Sequence, residues 1–262
     1  MTDRRGEYGL DGHYPRLGML VQAALVVAAG AVTVRAARRG QATLAAVSGV
    51  AAAGVGEVTA GYLYTTRRGK FEVWSELLDE LELRGDEHVL DVGCGRGAVL
   101  MLAAGRVPGG RAVGADIWLR RDQVGNSRAA AERNARLEGV AGRVELVHAD
   151  ARDLPFDPGT FDVVVSNLAI HNIASDDGRD CAVHEAVRVL RPGGRLRIVD
   201  FRAGRYIEPL RAAGCHDVEL RRLGWRMCFG IPGNATGLVT ASKQAGPAGE
   251  RKLKGMSVDC ER

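Results

Sequence analysis

The chain has 262 residues, of which 46% are apolar and 5% aromatic, and its formal net charge is +4. This length accommodates one domain of ordinary size with an additional segment, and the apolar content is sufficient for a core. Because the basic residues are interleaved with acidic ones and aromatic residues are few, the composition argues against a nucleic-acid-binding surface. The five cysteines form neither a C-x-x-C pair nor a metal-binding spacing, so we expect buried thiols in a reducing compartment and no metal site.

Two apolar runs follow a polar N-terminus, residues 1–16, which we expect to be poorly ordered. Residues 17–34 contain no charge, and residues 42–66 are interrupted only by Glu57. Apolar runs of this length are typical of membrane-spanning helices, so residues 17–66 are predicted to form a helical hairpin that associates with a membrane. The alternative is that one or both runs are soluble helices packed on the rest of the chain, because Ala and Gly insert only marginally and Glu57 is costly in hydrocarbon.

Basic residues flank both runs and indicate an orientation. If both helices span the membrane, the N-terminus and the C-terminal region share a side that contains Arg4, Arg5, Arg16, Arg67, Arg68 and Lys70, against Arg35, Arg38 and Arg39 in the linker. Positive residues collect on the cytoplasmic side, so this count favours a cytoplasmic location for the C-terminal region. Without the anchor, the whole chain would be cytoplasmic.

The C-terminal region begins with an apolar strand that breaks into a glycine-rich turn, V-L-D-V-G-C-G-R-G at residues 89–97. Gly93, Gly95 and Gly97 permit a tight turn and the close approach of a ligand, and we expect free backbone N–H groups at the start of the following helix. The turn therefore predicts a nucleotide-like ligand at the carboxyl end of this strand.

From residue 88 onward the pattern alternates between strand and helix. Strands are predicted at 88–92, 111–116, 143–148, 161–166 and 195–200, with two further strand-like pieces at 217–223 and 237–241. Helices are predicted near 71–83, 97–105, 126–138, 179–190 and 205–213. Continuous apolar strands separated by helices predict a doubly wound α/β fold with a mostly parallel sheet covered on both faces. The polar residues 244–262 are interpreted as a disordered tail.

The glycine-rich turn alone fits two ligand classes. Gly93, Gly95 and Ala98 satisfy the G-x-G-x-x-G/A dinucleotide pattern, and Asp116 lies at the distance expected for a ribose-binding acid, which leaves a nicotinamide-dependent oxidoreductase open. Asp91, however, comes directly before the turn. An anion there suits a pyrophosphate poorly and suits a positively charged ligand with an α-amino group well.

With Asp91 leading it, the motif D-V-G-C-G-R-G resembles the first motif of the class I S-adenosylmethionine-dependent methyltransferases, in particular their type 11/25 domains. The likeness covers about residues 71–243. It implies a seven-stranded, Rossmann-like sheet that ends in an antiparallel hairpin, S-adenosyl-L-methionine as cofactor, and methyl transfer to a small acceptor. An anchor in the membrane would favour an apolar or membrane-associated acceptor.

The resemblance also implies roles for individual residues. The backbone of Gly93, Gly95 and Gly97 would hold the methionine part of the cofactor and Asp91 its amino end. Asp116 would accept hydrogen bonds from the ribose hydroxyls, Ile117 would lie against adenine, and Asp150 would accept from the adenine amine. Asn167, after the fourth strand, is expected beside the reactive methyl group.

His171 follows Asn167 and is the candidate general base for an acceptor that must lose a proton. The alternative is that it binds substrate or caps a turn. A catalytically silent membrane scaffold that binds the cofactor without turning it over also remains open at this stage.

Overall fold

The computed structural model describes residues 4–11, 16–229 and 236–245, with only the backbone of residues 16–19. Most of the predicted tail therefore lies outside the described residues. A seven-stranded sheet forms the centre of the fold, in the order β3-β2-β1-β4-β5-β7-β6. Its strands are β1 (His88–Val92), β2 (Arg111–Asp116), β3 (Val144–His148), β4 (Phe161–Asn167), β5 (Leu190–Phe201), β6 (Cys215–Arg222) and β7 (Thr236–Lys243). The first five strands are parallel, and β7 pairs antiparallel with both β5 and β6, as the resemblance implied.

The α-helices of the described residues are α1 (Arg16–Arg38), α2 (Ala42–Tyr64), α3 (Lys70–Asp79), α4 (Ala98–Arg106), α5 (Arg128–Leu137), α6 (Asp176–Val189) and α7 (Ile207–Ala212). Strand side chains alternate between the two faces of the sheet. Leu90 packs in a core with α6 and α7, whereas its neighbour Val89 packs in a second core with α3 and α4. The covered faces confirm the predicted doubly wound α/β class.

The fifth strand begins earlier than the predicted start at residue 195. The structure includes Arg191–Gly194 in β5, where Leu190 pairs with Phe161 and Arg195 with Val163. The pairing is irregular between these two points, and Gly193 has a φ of 76°. Glycine adopts this left-handed conformation without steric cost, which explains how the strand absorbs the extra residues.

Helices α1 and α2 form a hairpin whose apolar side chains are largely exposed. Thr33 Oγ1 and Ser48 Oγ lie 2.8 Å apart, and Thr59 Oγ1 donates to Gln22 Oε1 at 3.0 Å, so polar contacts join the two helices. Each helix has 23 residues, which corresponds to about 34 Å. By length and composition, both are able to cross a membrane. A π-helical turn at Thr65–Gly69 then continues α2 directly into α3.

The N-terminal strap, residues 4–11, corrects one expectation. Poor order was predicted, but this segment packs along α5 and the loop after β2. Glu7 N donates to Asn134 Oδ1 at 2.9 Å, and Asn134 Nδ2 donates back to Glu7 O at 3.0 Å. Tyr8 is buried, with its ring 5.0 Å from that of Phe71. These contacts fix a polar segment that has no periodic pattern of its own.

Candidate functional site

A cavity of about 560 Å³ lies at the carboxyl ends of the central strands and extends from the glycine-rich turn to His171. Its walls include eight of the nine residues predicted for the site, namely Asp91, Gly93, Gly95, Asp116, Ile117, Asp150, Asn167 and His171. Gly97 is not among the lining residues. It precedes α4 with a φ of 84°, and a Cβ there would lie 2.5 Å from Met101 Cε, so this glycine serves the turn itself.

The backbone of the turn is arranged differently from the expectation of free N–H groups. Gly93 N donates to Ala115 O at 2.8 Å, and Gly95 N donates to Asp116 Oδ2 at 2.7 Å. Both amides therefore have partners before any ligand binds. A Cβ on Gly93 would lie 2.1 Å from the Cβ of Ala169, so the close approach of the loop after β4 requires glycine here. The glycines thus hold the turn together and leave room for a ligand, rather than supplying free donors.

Asp91 is the most unusual polar residue at the cavity wall. It is 1% exposed, and neither carboxylate oxygen has a hydrogen-bond partner within the described part of the chain. Burial, followed by the charge of nearby Asp116, raises the pKa of the Asp91 carboxyl to about 8, against a smaller opposing effect of the Leu100 backbone amide, which lies outside hydrogen-bond geometry. A buried carboxylate without a partner is costly. An ammonium group placed in the cavity would supply the missing partner.

Asp116 lies at the end of β2, on the same side of the cavity. Its two oxygens accept from the backbone amides of Gly95 and Trp118. Burial raises the pKa of Asp116, and the two amide hydrogen bonds oppose that shift. Each carboxylate oxygen accepts more than one hydrogen bond, so both retain capacity for a ligand hydroxyl.

The far end of the cavity, where adenine was expected, contains Ile117 and Asp150. The Ile117 side chain is 38% exposed and is available to a planar ligand. Asp150 is already paired with Arg152, whose Nη2 lies 2.6 Å from Asp150 Oδ2, and this pairing lowers the pKa of Asp150. An amine at this position would share the carboxylate with Arg152.

Asn167, the last residue of β4, is oriented by a buried tryptophan. Trp74 of α3 is fully buried, and its indole N–H donates to Asn167 Oδ1 at 2.7 Å. This hydrogen bond fixes the amide of Asn167 at the cavity wall. A buried tryptophan usually finds such a partner, but the sequence pattern does not reveal which one.

At the opposite end, aromatic side chains surround His171. The ring centroids of Phe201 and His171 lie 5.0 Å apart in an edge-to-face contact, and those of Phe229 and Phe201 lie 5.7 Å apart. Tyr62, from the last turn of α2, completes this wall, with its ring centroid 6.4 Å from that of Phe229. His171 Nδ1 lies 2.6 Å from Oδ1 of Asp200, a residue absent from the predicted site. Asp200 is the last residue of the predicted fifth strand, 195–200, just as Asp116 is the last residue of the predicted second strand, and that parallel was the available signal.

A second group missed by sequence reasoning closes the cavity on the side of the strap. Lys70 is 1% exposed, and its Nζ lies 2.7 Å from Asp11 Oδ2. Gln123 Nε2 donates to Asp11 Oδ1 at 2.9 Å, and the Tyr62 hydroxyl donates to Asp11 O at 2.7 Å. Lys70 was interpreted only as part of a basic flank, because a sequence cannot show that a lysine is buried.

In a comparison with protein families, residues 90–198 match the family described as a methyltransferase domain. Among curated proteins, the demethylmenaquinone methyltransferase of Symbiobacterium thermophilum is 37% identical over 130 residues, which cover 49% of this chain and 48% of that protein. The ubiquinone/menaquinone biosynthesis C-methyltransferase UbiE of Pseudomonas putida is 36% identical over 135 residues, covering 51% and 49%. The chain thus spans about half the length of the curated relatives it matches.

Among solved structures, the Burkholderia thailandensis 1,6-didemethyltoxoflavin-N1-methyltransferase superposes with a TM-score of 0.53 at 22% identity. The superposition covers 70% of this chain and 81% of that protein, which contains bound 1,6-didemethyltoxoflavin and S-adenosylhomocysteine. At this level of identity the similarity concerns the fold alone.

Proposed function

The chain carries a class I S-adenosylmethionine-dependent methyltransferase domain, and on that premise we propose that it transfers a methyl group from S-adenosyl-L-methionine to a small acceptor held beside His171. The observation that carries the proposal is Asp91, a buried carboxylate at the cavity wall with no partner in the described structure. The α-ammonium group of the cofactor is the partner that such a carboxylate favours.

The residues of the cavity fit this cofactor along its length. Asp91 would accept from its ammonium group, and Gly93 and Gly95 leave space for its methionine part. Asp116 would accept from the ribose hydroxyls, since a carboxylate has two oxygens at the spacing that a vicinal diol requires. Ile117, Asp150 and Asn167 would complete the site as the resemblance implies. When bound, the cofactor supplies an electrophilic methyl group with a neutral leaving group, so the protein contributes mainly alignment and exclusion of water.

The same geometry weighs against a nicotinamide-dependent oxidoreductase. A pyrophosphate beside the turn would lie near Asp91 and Asp116, two carboxylates of the same sign, and the amides of Gly93 and Gly95 are already hydrogen-bonded. Like charges in a poorly solvated site repel strongly. A silent scaffold is disfavoured by His171, which lines the cavity and is held by Asp200.

The acceptor end favours a flat, apolar molecule. Tyr62, Phe201 and Phe229 line this part of the cavity, and aromatic walls bind planar apolar groups well. One curated relative is named a demethylmenaquinone methyltransferase, and the other a ubiquinone/menaquinone biosynthesis C-methyltransferase. Their names support a quinone-type acceptor as part of this proposal.

The hairpin supports the proposal that such an acceptor is taken from a membrane. Val27 and Val50 are 72% and 74% exposed, and apolar side chains exposed along two helices are expected to lie in lipid. At the base of the hairpin, Tyr64 stacks on Trp225 at 4.9 Å, an arrangement typical of a membrane–water interface. Since Tyr62 lies in the last turn of α2, the acceptor end of the cavity is at this interface. The distribution of basic residues favours a cytoplasmic location for the methyltransferase domain.

The direct test incubates the full chain with S-adenosyl-L-methionine labelled in its methyl group and with a membrane-plus-cytosol extract. We expect label in a lipid-soluble small molecule, which mass spectrometry then identifies. Label only in a water-soluble metabolite would contradict the membrane acceptor, and binding without any labelled product would favour the scaffold.

Three variants and a calorimetric measurement separate the roles of the residues. Asp116→Ala is expected to weaken cofactor binding severely, whereas His171→Ala should preserve binding and reduce turnover. The matched control is Asp86→Ala, which removes a carboxylate that is 67% exposed on the surface of the same domain. Calorimetric binding of NAD(P) in place of S-adenosyl-L-methionine would contradict the proposal.

A further inference from the structure

Asp200 is a fully buried carboxylate at the end of β5, beside the acceptor end of the cavity. It accepts four hydrogen bonds. Two come from His171, whose backbone N lies 3.0 Å from Oδ2 and whose Nδ1 lies 2.6 Å from Oδ1. The others come from Phe201 N at 2.7 Å and the Tyr206 hydroxyl at 2.9 Å. A carboxylate so well satisfied is an acceptor held in a fixed position.

This arrangement decides which ring nitrogen of His171 faces the cavity as an acceptor. An ionised carboxylate only accepts, so the nitrogen beside it, Nδ1, carries the proton. Nε2 is then left with its lone pair. Burial and the charge of Asp200 raise the pKa of Tyr206, which therefore stays protonated and remains a donor to Asp200.

Resting on the proposed function, we infer that Asp200 is a positioning residue that holds His171 as a base with Nε2 directed to the acceptor, and that Tyr206 supports Asp200. A general base at this position is required by acceptors in which the atom that is methylated carries a hydrogen, written here as X–H. The X–H electron pair forms the new bond to carbon, the carbon–sulfur pair stays on sulfur, and the proton goes to Nε2 of His171. Water then accepts the proton and regenerates the base.

The first test is nitrogen NMR of the full chain in detergent micelles with ¹⁵N-labelled histidine. His171→Gln identifies the His171 resonances by their loss. In the wild-type protein with a neutral His171 ring, we expect one tautomer with the proton on Nδ1. A proton on Nε2 would overturn the inference without the need for any variant or acceptor.

The variants extend this test. Asp200→Asn replaces the carboxylate by an amide that both donates and accepts, so we expect a mixture of tautomers, whereas Tyr206→Phe leaves the carboxylate in place and should preserve the wild-type tautomer. Thermal unfolding and binding of S-adenosylhomocysteine establish that each variant is folded. An unchanged tautomer in folded Asp200→Asn would contradict the positioning role.

The second test measures turnover with the acceptor identified in the labelling experiment. Asp200→Asn should lower kcat by about a hundredfold or more with KM changed less than about threefold, because the defect concerns proton transfer and not binding. A wild-type kcat in this variant would overturn the inference. If the wild-type protein methylates no acceptor, the proposed function fails, while the tautomer still reports whether Asp200 orients His171.

Discussion

Under the proposed function, the Asp91 carboxyl is one titrating group that affects both the stability of the free protein and the binding of the cofactor. The pKa of this carboxyl is raised from its ordinary value of 3.8 to about 8 by burial and by Asp116. Because the folded pKa lies above the unfolded one, the folded state holds the proton more tightly between about pH 4 and pH 8. The contribution of Asp91 to stability therefore falls as the pH rises through this window. Each pKa unit corresponds to about 1.4 kcal/mol, which gives a destabilisation on the order of 4 kcal/mol at pH 7.

Asp91→Asn removes the titrating group and keeps the shape of the side chain. We expect the free variant to be more stable than the wild-type protein at pH 7 to 8, with an advantage that decreases by about 1.4 kcal/mol per unit toward pH 5. Urea unfolding at several pH values measures this difference. Asp86→Asn serves as control, since its exposed carboxylate should leave the pH profile unchanged.

With the cofactor bound, the wild-type protein should become more stable than Asp91→Asn. The ammonium group of the cofactor favours the ionised form of Asp91, so binding at pH 7 should release about 0.9 proton, and affinity should rise from pH 6 to pH 8. Loss of the charge-assisted contact in Asp91→Asn should weaken binding by about 10- to 100-fold. Calorimetry in buffers of different ionisation enthalpy measures both quantities. Parallel stability profiles of variant and wild type, or cofactor binding that releases no proton, would refute this reasoning.

Further predictions concern the turn, the hairpin and the support of the site. Gly93 has a φ of 72°, and a Cβ at this position would lie 2.1 Å from the Cβ of Ala169. Gly93→Ala should therefore destabilise the protein by at least about 1 kcal/mol and abolish cofactor binding in calorimetry. A neutral effect would contradict the close approach of the loop after β4. Val50 of α2 is 74% exposed, and a charge in hydrocarbon costs about 3 kcal/mol. Val50→Asp should therefore shift the protein to the soluble fraction and leave its melting temperature in detergent unchanged. Persistent membrane binding would argue against insertion of α2. Trp74→Phe removes the hydrogen-bond donor to Asn167 and should lower the free energy of unfolding in urea by about 1–3 kcal/mol and weaken cofactor binding. Unchanged cofactor affinity would show that this hydrogen bond does not shape the site.

The sheet and the placement of the acids follow from the sequence because both depend on local pattern. Apolar strands that alternate with helices predict parallel order, and parallel strands bring their carboxyl ends to one edge. Asp91 lies one residue before the end of β1 and Asp116 at the end of β2, and both therefore reach the same cavity. The boundary of β5 was the exception, since the irregular pairing at Gly193 is a property of two strands together and not of one segment.

The partners of these residues could not be predicted, because they come from distant parts of the chain. Trp74 and Asn167 are 93 residues apart, and His171 and Asp200 are 29 apart. Nothing in the pattern around either residue of a pair indicates the other. The bonding of the Gly95 amide to Asp116 is similar, because it depends on how β1 and β2 meet.

Asp91 and Asp116 are proposed to hold the amino group and the ribose of the cofactor on one side of the cavity. A crystal structure of the full chain with S-adenosylhomocysteine tests this central claim most directly. We predict that the amino group lies within hydrogen-bond distance of Asp91, the ribose hydroxyls at Asp116, and the sulfur on the side of His171. Adenosine bound elsewhere, or an Asp91 carboxylate that remains without a ligand contact, would contradict it.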